Sequence, residues 1–317
     1  MIRSTEQYAA PVVDRPAAGG RSVSARPANA RLVNAMSVDV EDYYQVSAFA
    51  GTIGRADWPS YPSRVEQNTR RILDLFAETN VRATFFMLGC LAERHPHLVR
   101  EIVEQGHELA SHGYSHYRVF EQTPAQFRDD VSTTKKILED TGGVAVNGYR
   151  AASFSINRDT WWAFEVLAEA GHTYSSSVNP IQHDHYGVPD ADRFSFRPNG
   201  SAFTEIPITT VEVLGRRLPC GGGGYFRLFP YQCWRWGLRQ VNGSDGRAAV
   251  FYFHPWEIDP EQPRIAGASR RSQLRHYTNL KIMEAKLRRA LTDFSWSRID
   301  EVFLGDGRGD GRIGAVS

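Results

Sequence analysis

Five places in the sequence gather residue types that act on polar bonds. Asp39-Val40-Glu41-Asp42 closes one apolar run, and His112 is followed four residues later by His116. Arg150 ends VNGYR, Ser175, Ser176 and Ser177 precede Asn179, and His254 ends AAVFYFH before Pro255-Trp256-Glu257. Two imidazoles at i and i+4 share a metal ion if the segment between them coils into a helical turn. Joined by one carboxylate, they suit zinc or a related divalent ion, with open positions for water and substrate. A separate histidine and a spare carboxylate then supply acid and base. Each piece alone has a plainer reading: a structural histidine pair, a helix-capping acidic cluster, an arginine neutralising a carboxylate at the edge of the core. Agreement among separate segments favours the catalytic reading.

All of these groups end segments that read as strands. VNAMSVDV (33–40), ATFFML (83–88), HELASH (107–112), VNGYRAA (146–152) and HTYSSSV (172–178) are short apolar or alternating runs. TEIPITTVEV (204–213) and AAVFYFH (248–254) read the same way. Between them lie helical patterns. Val65, Thr69, Ile72, Leu73 and Phe76 share one face; Leu98 to Val103 form a helix stopping at Gly106; Phe127 to Leu138 form one closing at Gly142. TWWAFEVLAEAG, YQCWRWGLRQV and a long stretch over 272–293 follow. Strand–helix alternation over some 250 residues predicts a parallel α/β architecture, barrel or doubly wound. In a barrel the C-terminal strand ends converge on one face, so the polar groups would meet there.

Composition narrows the class. The chain has 317 residues, 41% hydrophobic and 23% charged, and a net charge of +1 that gives no strong field for nucleic acid. Three scattered cysteines make neither a disulfide framework nor a thiolate metal site. Residues 1–30, rich in Ala, Pro, Gly, Ser and Arg, read as a flexible leader without a secretory h-region, and 304–317 as a flexible tail. No apolar run approaches a membrane span, so the expected location is cytoplasmic. Gly221–Gly224 lacks the Lys-Ser/Thr ending of a phosphate loop and reads as a mobile loop beside a groove; His183-Asp184-His185 reads as a loop on the substrate side.

The segments AMSVDVED, GHELASHGYSH, GYRAASFSI and FYFHPWEID, in this order, resemble the polysaccharide deacetylase family with the NodB homology domain, akin to carbohydrate esterase family 4. DVEDYYQVSAF, CGGGGYFRLFPY and FHPWEIDPEQPR look like the subfamily of exopolysaccharide loci with exosortase/PEP-CTERM sorting systems. The resemblance runs over about 33–300 and implies one catalytic domain over 31–303 with a subfamily-specific C-terminal part. It implies a distorted, incomplete (β/α) barrel and metal-assisted removal of N-acetyl groups from the amino sugars of a polysaccharide, in exopolysaccharide biosynthesis. Asp39 matches the catalytic base, Arg150 the residue that orients it, and His254 the general acid. His112 and His116 match the metal-binding histidines, the metal being zinc, with cobalt or another divalent ion as the alternative. The family usually has two adjacent aspartates and Gly where this chain has Asp-Val-Glu-Asp-Tyr. The third ligand is therefore Glu41 or Asp42; Glu41 is favoured because i and i+2 share a strand face. A backbone N–H near Ala151 is expected to help stabilise the oxyanion, and Trp256 to bind substrate. Rival readings are a cyclic-amide hydrolase on the same fold, an O-acetyl esterase, and a catalytically silent polysaccharide-binding scaffold.

Overall fold

The computed structural model describes residues 32–183 and 186–305. The expected leader, nearly all of the expected tail, and Asp184 and His185 lie outside the described residues.

The sheet is built on β1 (Val33–Val40), buried from Asn34 onward. Its two faces have different neighbours. Met36, Val38 and Val40 join a large core with helix residues such as Ile72, Phe76, Leu98 and Met283, while Ala35 packs with Phe86, Tyr174 and Tyr252 in a second cluster. Period-two alternation therefore leaves Ser37, Asp39 and Glu41 on the Ala35 side, inside the curl of the sheet. β2 (Thr84–Met87), β3 (Glu108–Ser111), β4 (Gly148–Tyr149), β5 (Tyr174–Ser175) and β6 (Thr204–Glu205) follow in spatial order, each parallel to its neighbour. A short antiparallel hairpin, β7 (Thr210–Val213) and β8 (Arg216–Pro219), stands apart. β9 (Val250–Phe253) and β10 (Ser295–Ser297) then return to pair with β1 in parallel.

The result is a curled, open eight-stranded sheet, the incomplete barrel that the resemblance implies. Its gap between β6 and β9 is bridged by irregular backbone: Gly221 donates to the Thr209 carbonyl at 2.8 Å and accepts from Tyr252 N–H at 2.8 Å. At Gly221 a Cβ would run into the Val250 carbonyl and Thr209 backbone, and at Gly223 into the Glu257 carboxylate. Gly221, Gly222 and Gly223 are buried. The expected mobile loop is thus a packed seam, with glycine required by close approach.

Helices cover the outside: α1 (Val65–Thr79), α2 (Gly89–Arg94), α3 (Pro96–Glu104), α4 (Pro124–Gly142), α5 (Ala163–Glu169), α6 (Gly223–Leu228), α7 (Tyr231–Gly243), α8 (Arg270–Tyr277), α9 (Leu280–Asp293) and α10 (Ile299–Phe303). α4 begins with a Thr123–Gln126 capping box and Pro124, and ends at Gly143 with φ 66°. The expected helix over 272–293 is two helices, broken where Asn279 takes a left-handed φ of 59°. The expected strand over 204–213 is likewise divided, β6 belonging to the main sheet and β7 to the hairpin. Among the described residues no helix is long and apolar enough to cross a membrane.

Candidate metal centre

Strand ends bring the chemistry together. His112 directly follows β3 and is fixed by its own N–H, which donates to the Met87 carbonyl at 2.9 Å. Its Nδ1 lies 2.8 Å from the Arg150 carbonyl. A carbonyl only accepts, so Nδ1 carries the proton and Nε2 keeps a free lone pair. Burial lowers the His112 pKa to about 4, which keeps the ring neutral and able to ligate.

His116 reaches the same place by a route other than the expected helical turn. Residues 112–118 form no helix; Gly113 at φ 75° and His116 at φ 54° fold the chain back through left-handed conformations. Arg55 clamps this loop, donating from Nε to the Ser115 carbonyl at 2.8 Å and from Nη2 to the His116 carbonyl at 2.9 Å. The His112 and His116 ring centroids end 5.3 Å apart.

Glu41, one residue past β1, is the carboxylate that meets them. Its Oε2 is 2.9 Å from His116 Nε2, and ligand atoms of Glu41, His112 and His116 all lie within 4.8 Å of one another. Burial alone would raise the Glu41 pKa, but His116, His254 and His112 hold it down to about 2. This cluster can hold a divalent metal. The fit rests on the donors themselves: a buried carboxylate and two buried imidazoles turned on one point, with Glu41 Oε2 lacking any well-formed hydrogen bond.

Asp42 points elsewhere. It accepts from Ser63 Oγ at 2.6 Å and from the N–H groups of Arg64 at 3.0 Å and Val65 at 3.3 Å, capping the start of α1 from outside that helix.

Asp39, 2% exposed, lies beside the cluster on the same face of β1. Arg150 is fully buried; its Nη1 donates to Asp39 Oδ1 at 2.6 Å and to Ser37 Oγ at 2.8 Å. Its other edge donates to the carbonyl and hydroxyl of Ser176, both at 2.9 Å, and its guanidinium covers the Phe86 ring at 4.1 Å. Ser176, one of the serines ending the fifth run, thus fixes the arginine. Ser177 Oγ accepts the Ala151 N–H at 2.9 Å, so that donor is engaged and not free for the expected oxyanion role.

His254 closes the centre from the far strand. Its Nε2 is 3.3 Å from Glu41 Oε1 and 3.9 Å from Asp39 Oδ2, while Nδ1 is 2.8 Å from Glu257 Oε1. Glu257 is locked in turn by Arg227 Nε at 2.7 Å. Arg227 also donates to the carbonyls of His276 at 3.0 Å and Thr278 at 2.5 Å. Burial opposes charge on His254, but Glu41, Glu257 and Asp39 together raise its pKa to about 9.

Trp256 is 7% exposed and stacks on His254 at 5.1 Å and on His276 at 4.1 Å, with Nε1 3.4 Å from Glu41 Oε1. The indole packs and orients the site's own residues, leaving little surface for a sugar. Sequence reasoning singled out Ser176 and Glu257 without their supporting roles, and missed Arg227 and Arg55 altogether. Glu257 had a local signal as the carboxylate three residues after His254 in a capping box, and Ser176 as part of the serine run.

Residues 57–175 match the polysaccharide deacetylase family, and residues 176–304 match a domain of unknown function (DUF3473). A peptidoglycan deacetylase of Helicobacter pylori is 30% identical over 173 residues, 52% of this chain and 55% of that protein. A chitooligosaccharide deacetylase of Bradyrhizobium is 28% identical over 126 residues, 39% of this chain and 55% of that protein. The chain thus spans about half the length of these curated relatives. A Mycobacterium smegmatis crystal structure assigned to the polysaccharide deacetylases superposes with a TM-score of 0.57 at 22% identity, over 92% of this chain and 96% of that one. That likeness carries the fold alone, and the match to the polysaccharide deacetylase family covers residues 57–175.

Proposed function

We propose that the chain is a metal-dependent hydrolase that removes N-acetyl groups from the amino sugars of a polysaccharide, in exopolysaccharide biosynthesis. One observation carries this reading. The Glu41–His112–His116 cluster has a carboxylate braced by a buried arginine and, across from it, a histidine braced by a carboxylate. A divalent ion held by Glu41, His112 and His116, zinc by its donor set, would polarise the acyl carbonyl and acidify an adjacent water.

The chain's own residues do the rest. Asp39 Oδ1 is held by Arg150, so Oδ2 is the oxygen available to take the proton of the attacking water. Ser37 and Ser176 keep the guanidinium in place while that proton moves. His254 Nε2 delivers a proton to the departing nitrogen, and Glu257 on Nδ1 prevents the ring from turning away. Water is consumed, the C–N bond breaks, and acetate and a free amino sugar leave. An amide needs this acid more than an ester does, because an amine is the poorer leaving group; this supports N- over O-deacetylation.

The substrate class is supported by the names of the relatives, which deacetylate peptidoglycan and chitooligosaccharide. The exopolysaccharide role rests on the resemblance of CGGGGYFRLFPY and FHPWEIDPEQPR to the exosortase-linked subfamily. The test is acetate release from N-acetylated oligosaccharides by zinc-loaded protein. Ring opening of cyclic amides without acetate release would reassign the activity.

A further inference from the structure

We propose a second divalent-cation site at the protein surface, formed by Glu66, His95 and His97 and independent of the central cluster. Glu66 is the second residue of α1, His95 is the junction between α2 and α3, and His97 follows Pro96 in the first turn of α3. Both histidines converge on one carboxylate: His95 Nδ1 is 3.0 Å from Glu66 Oε2, and His97 Nε2 is 2.9 Å from Glu66 Oε1. One ligand atom from each of the three lies within 4.8 Å of the others. This is the donor set of the centre itself, one glutamate and two histidines, with the same 2.9 Å approach of imidazole to carboxylate.

Three features make the triad more than a chance surface cluster. Its members sit on rigid backbone: the His95 N–H donates to the Leu91 carbonyl at 2.8 Å, and Pro96 fixes the turn between the two rings. The His95 side chain is only 12% exposed, so packing holds its ring against Glu66. Arg70 binds Glu66 Oε1 at 2.6 Å but also Glu101 Oε2 at 3.0 Å, so it keeps a partner when Glu66 turns to a cation. Two imidazoles and a carboxylate favour zinc, cobalt or nickel over calcium or magnesium, and the partly exposed site leaves room for water ligands. An ion there would tie the start of α1 to the α2–α3 junction. Asp42 caps that same start of α1 and directly follows Glu41, so the tie would stiffen the element that seats the central carboxylate.

The experiment counts zinc and cobalt bound to the full-length chain by calorimetry and elemental analysis, alongside thermal melts. The wild type should bind two equivalents. Glu66→Gln and His97→Asn should each bind one and retain acetate release. Glu41→Gln, lacking the central carboxylate, should still gain melting temperature with zinc, and that gain should vanish in Glu41→Gln/Glu66→Gln. Because this last comparison needs no turnover, it stands whether or not the central site proves catalytic. A single equivalent in the wild type, or two retained in both Glu66→Gln and His97→Asn, would show an ordinary hydrogen-bonded surface triad and overturn the proposal.

Discussion

Replacing Arg150 by methionine tests the site and its scaffold together. The side chain is fully buried, and four hydrogen bonds leave its guanidinium: two to Asp39 and Ser37, two to Ser176. Methionine fills much of the volume but strands the Asp39 carboxylate, 2% exposed, without its counter-charge. Removing one partner of a buried pair costs about 3–5 kcal/mol, and the loss of the Ser176 contacts puts Arg150→Met near the top of that range. Asp39→Asn should cost less, since its amide oxygen still accepts from Nη1 and Arg150 keeps three other contacts. The double variant removes both charges, so its loss should fall short of the sum of the singles by about 2–3 kcal/mol, a coupling typical of residues in direct contact. Turnover should behave differently. Either single change should lower acetate release by about 10²-fold or more, the usual worth of a positioned base, and the double should be little worse than the singles because the pair acts as one unit. Urea denaturation followed by circular dichroism reads the first set of numbers, and acetate release by zinc-loaded protein reads the second. Additive destabilisation, or wild-type turnover in Arg150→Met, would refute the reasoning.

Chelating the bound cation should abolish acetate release, and zinc or cobalt should restore it; full activity in verified metal-free protein would end the metal-dependent reading. Glu41→Gln should weaken central cation binding far more than Asp42→Asn, whereas Asp42→Asn should cost about 1 kcal/mol as an altered helix cap; affinity titration and denaturation separate the two. His254→Ala should slow hydrolysis of N-acetyl substrates more than of activated acetate esters, and equal losses on both would remove it as the acid. Burial lowers the His172 pKa from 6.5 to about 4, so the fold prefers the neutral ring. That stability is complete above pH 6.5 and drains as pH falls toward 4, by about 3 kcal/mol in all. Thermal melts between pH 8 and 4.5 should show the decline, and His172→Asn should make it shallower.

Much of this architecture could be read from residues alone, where one physical signal dominated. β1 runs over the expected 33–40 because a continuous apolar segment admits few alternatives, and its two-residue period correctly set Asp39 and Glu41 on one face. The helices α1, α4 and α7 followed from their patterned apolar residues, and α4 also from the glycine at its end. Errors arose where tertiary packing overrode a local pattern. TEIPITTVEV alternates throughout, yet Pro207 lies where the chain leaves β6, and the alternation could not reveal two different sheets. The histidine pair has helical spacing but reaches its geometry through Gly113 and His116 in left-handed conformations, held by an arginine some sixty residues away. Arg227 and Glu257 are far apart in sequence and meet only when the Gly221–Gly223 seam packs beneath them. Nothing within either segment announces that meeting.

The placement of β1 also bears on how the chain is made. Its partners are β2, which leaves the ribosome soon afterwards, and β9 and β10, which emerge more than two hundred residues later: Ala35 aligns with Val250 and Val33 with Ser295. During synthesis the strand that carries Asp39 and leads into Glu41 must therefore wait, one edge unpaired, for more than two hundred residues to be translated. Such long-range pairing makes assembly slow and leaves an apolar edge open to wrong partners. Nascent chains ending between residues 151 and 249 would carry Asp39, His112, His116 and Arg150 without either strand that completes their scaffold, and would be natural clients for chaperones.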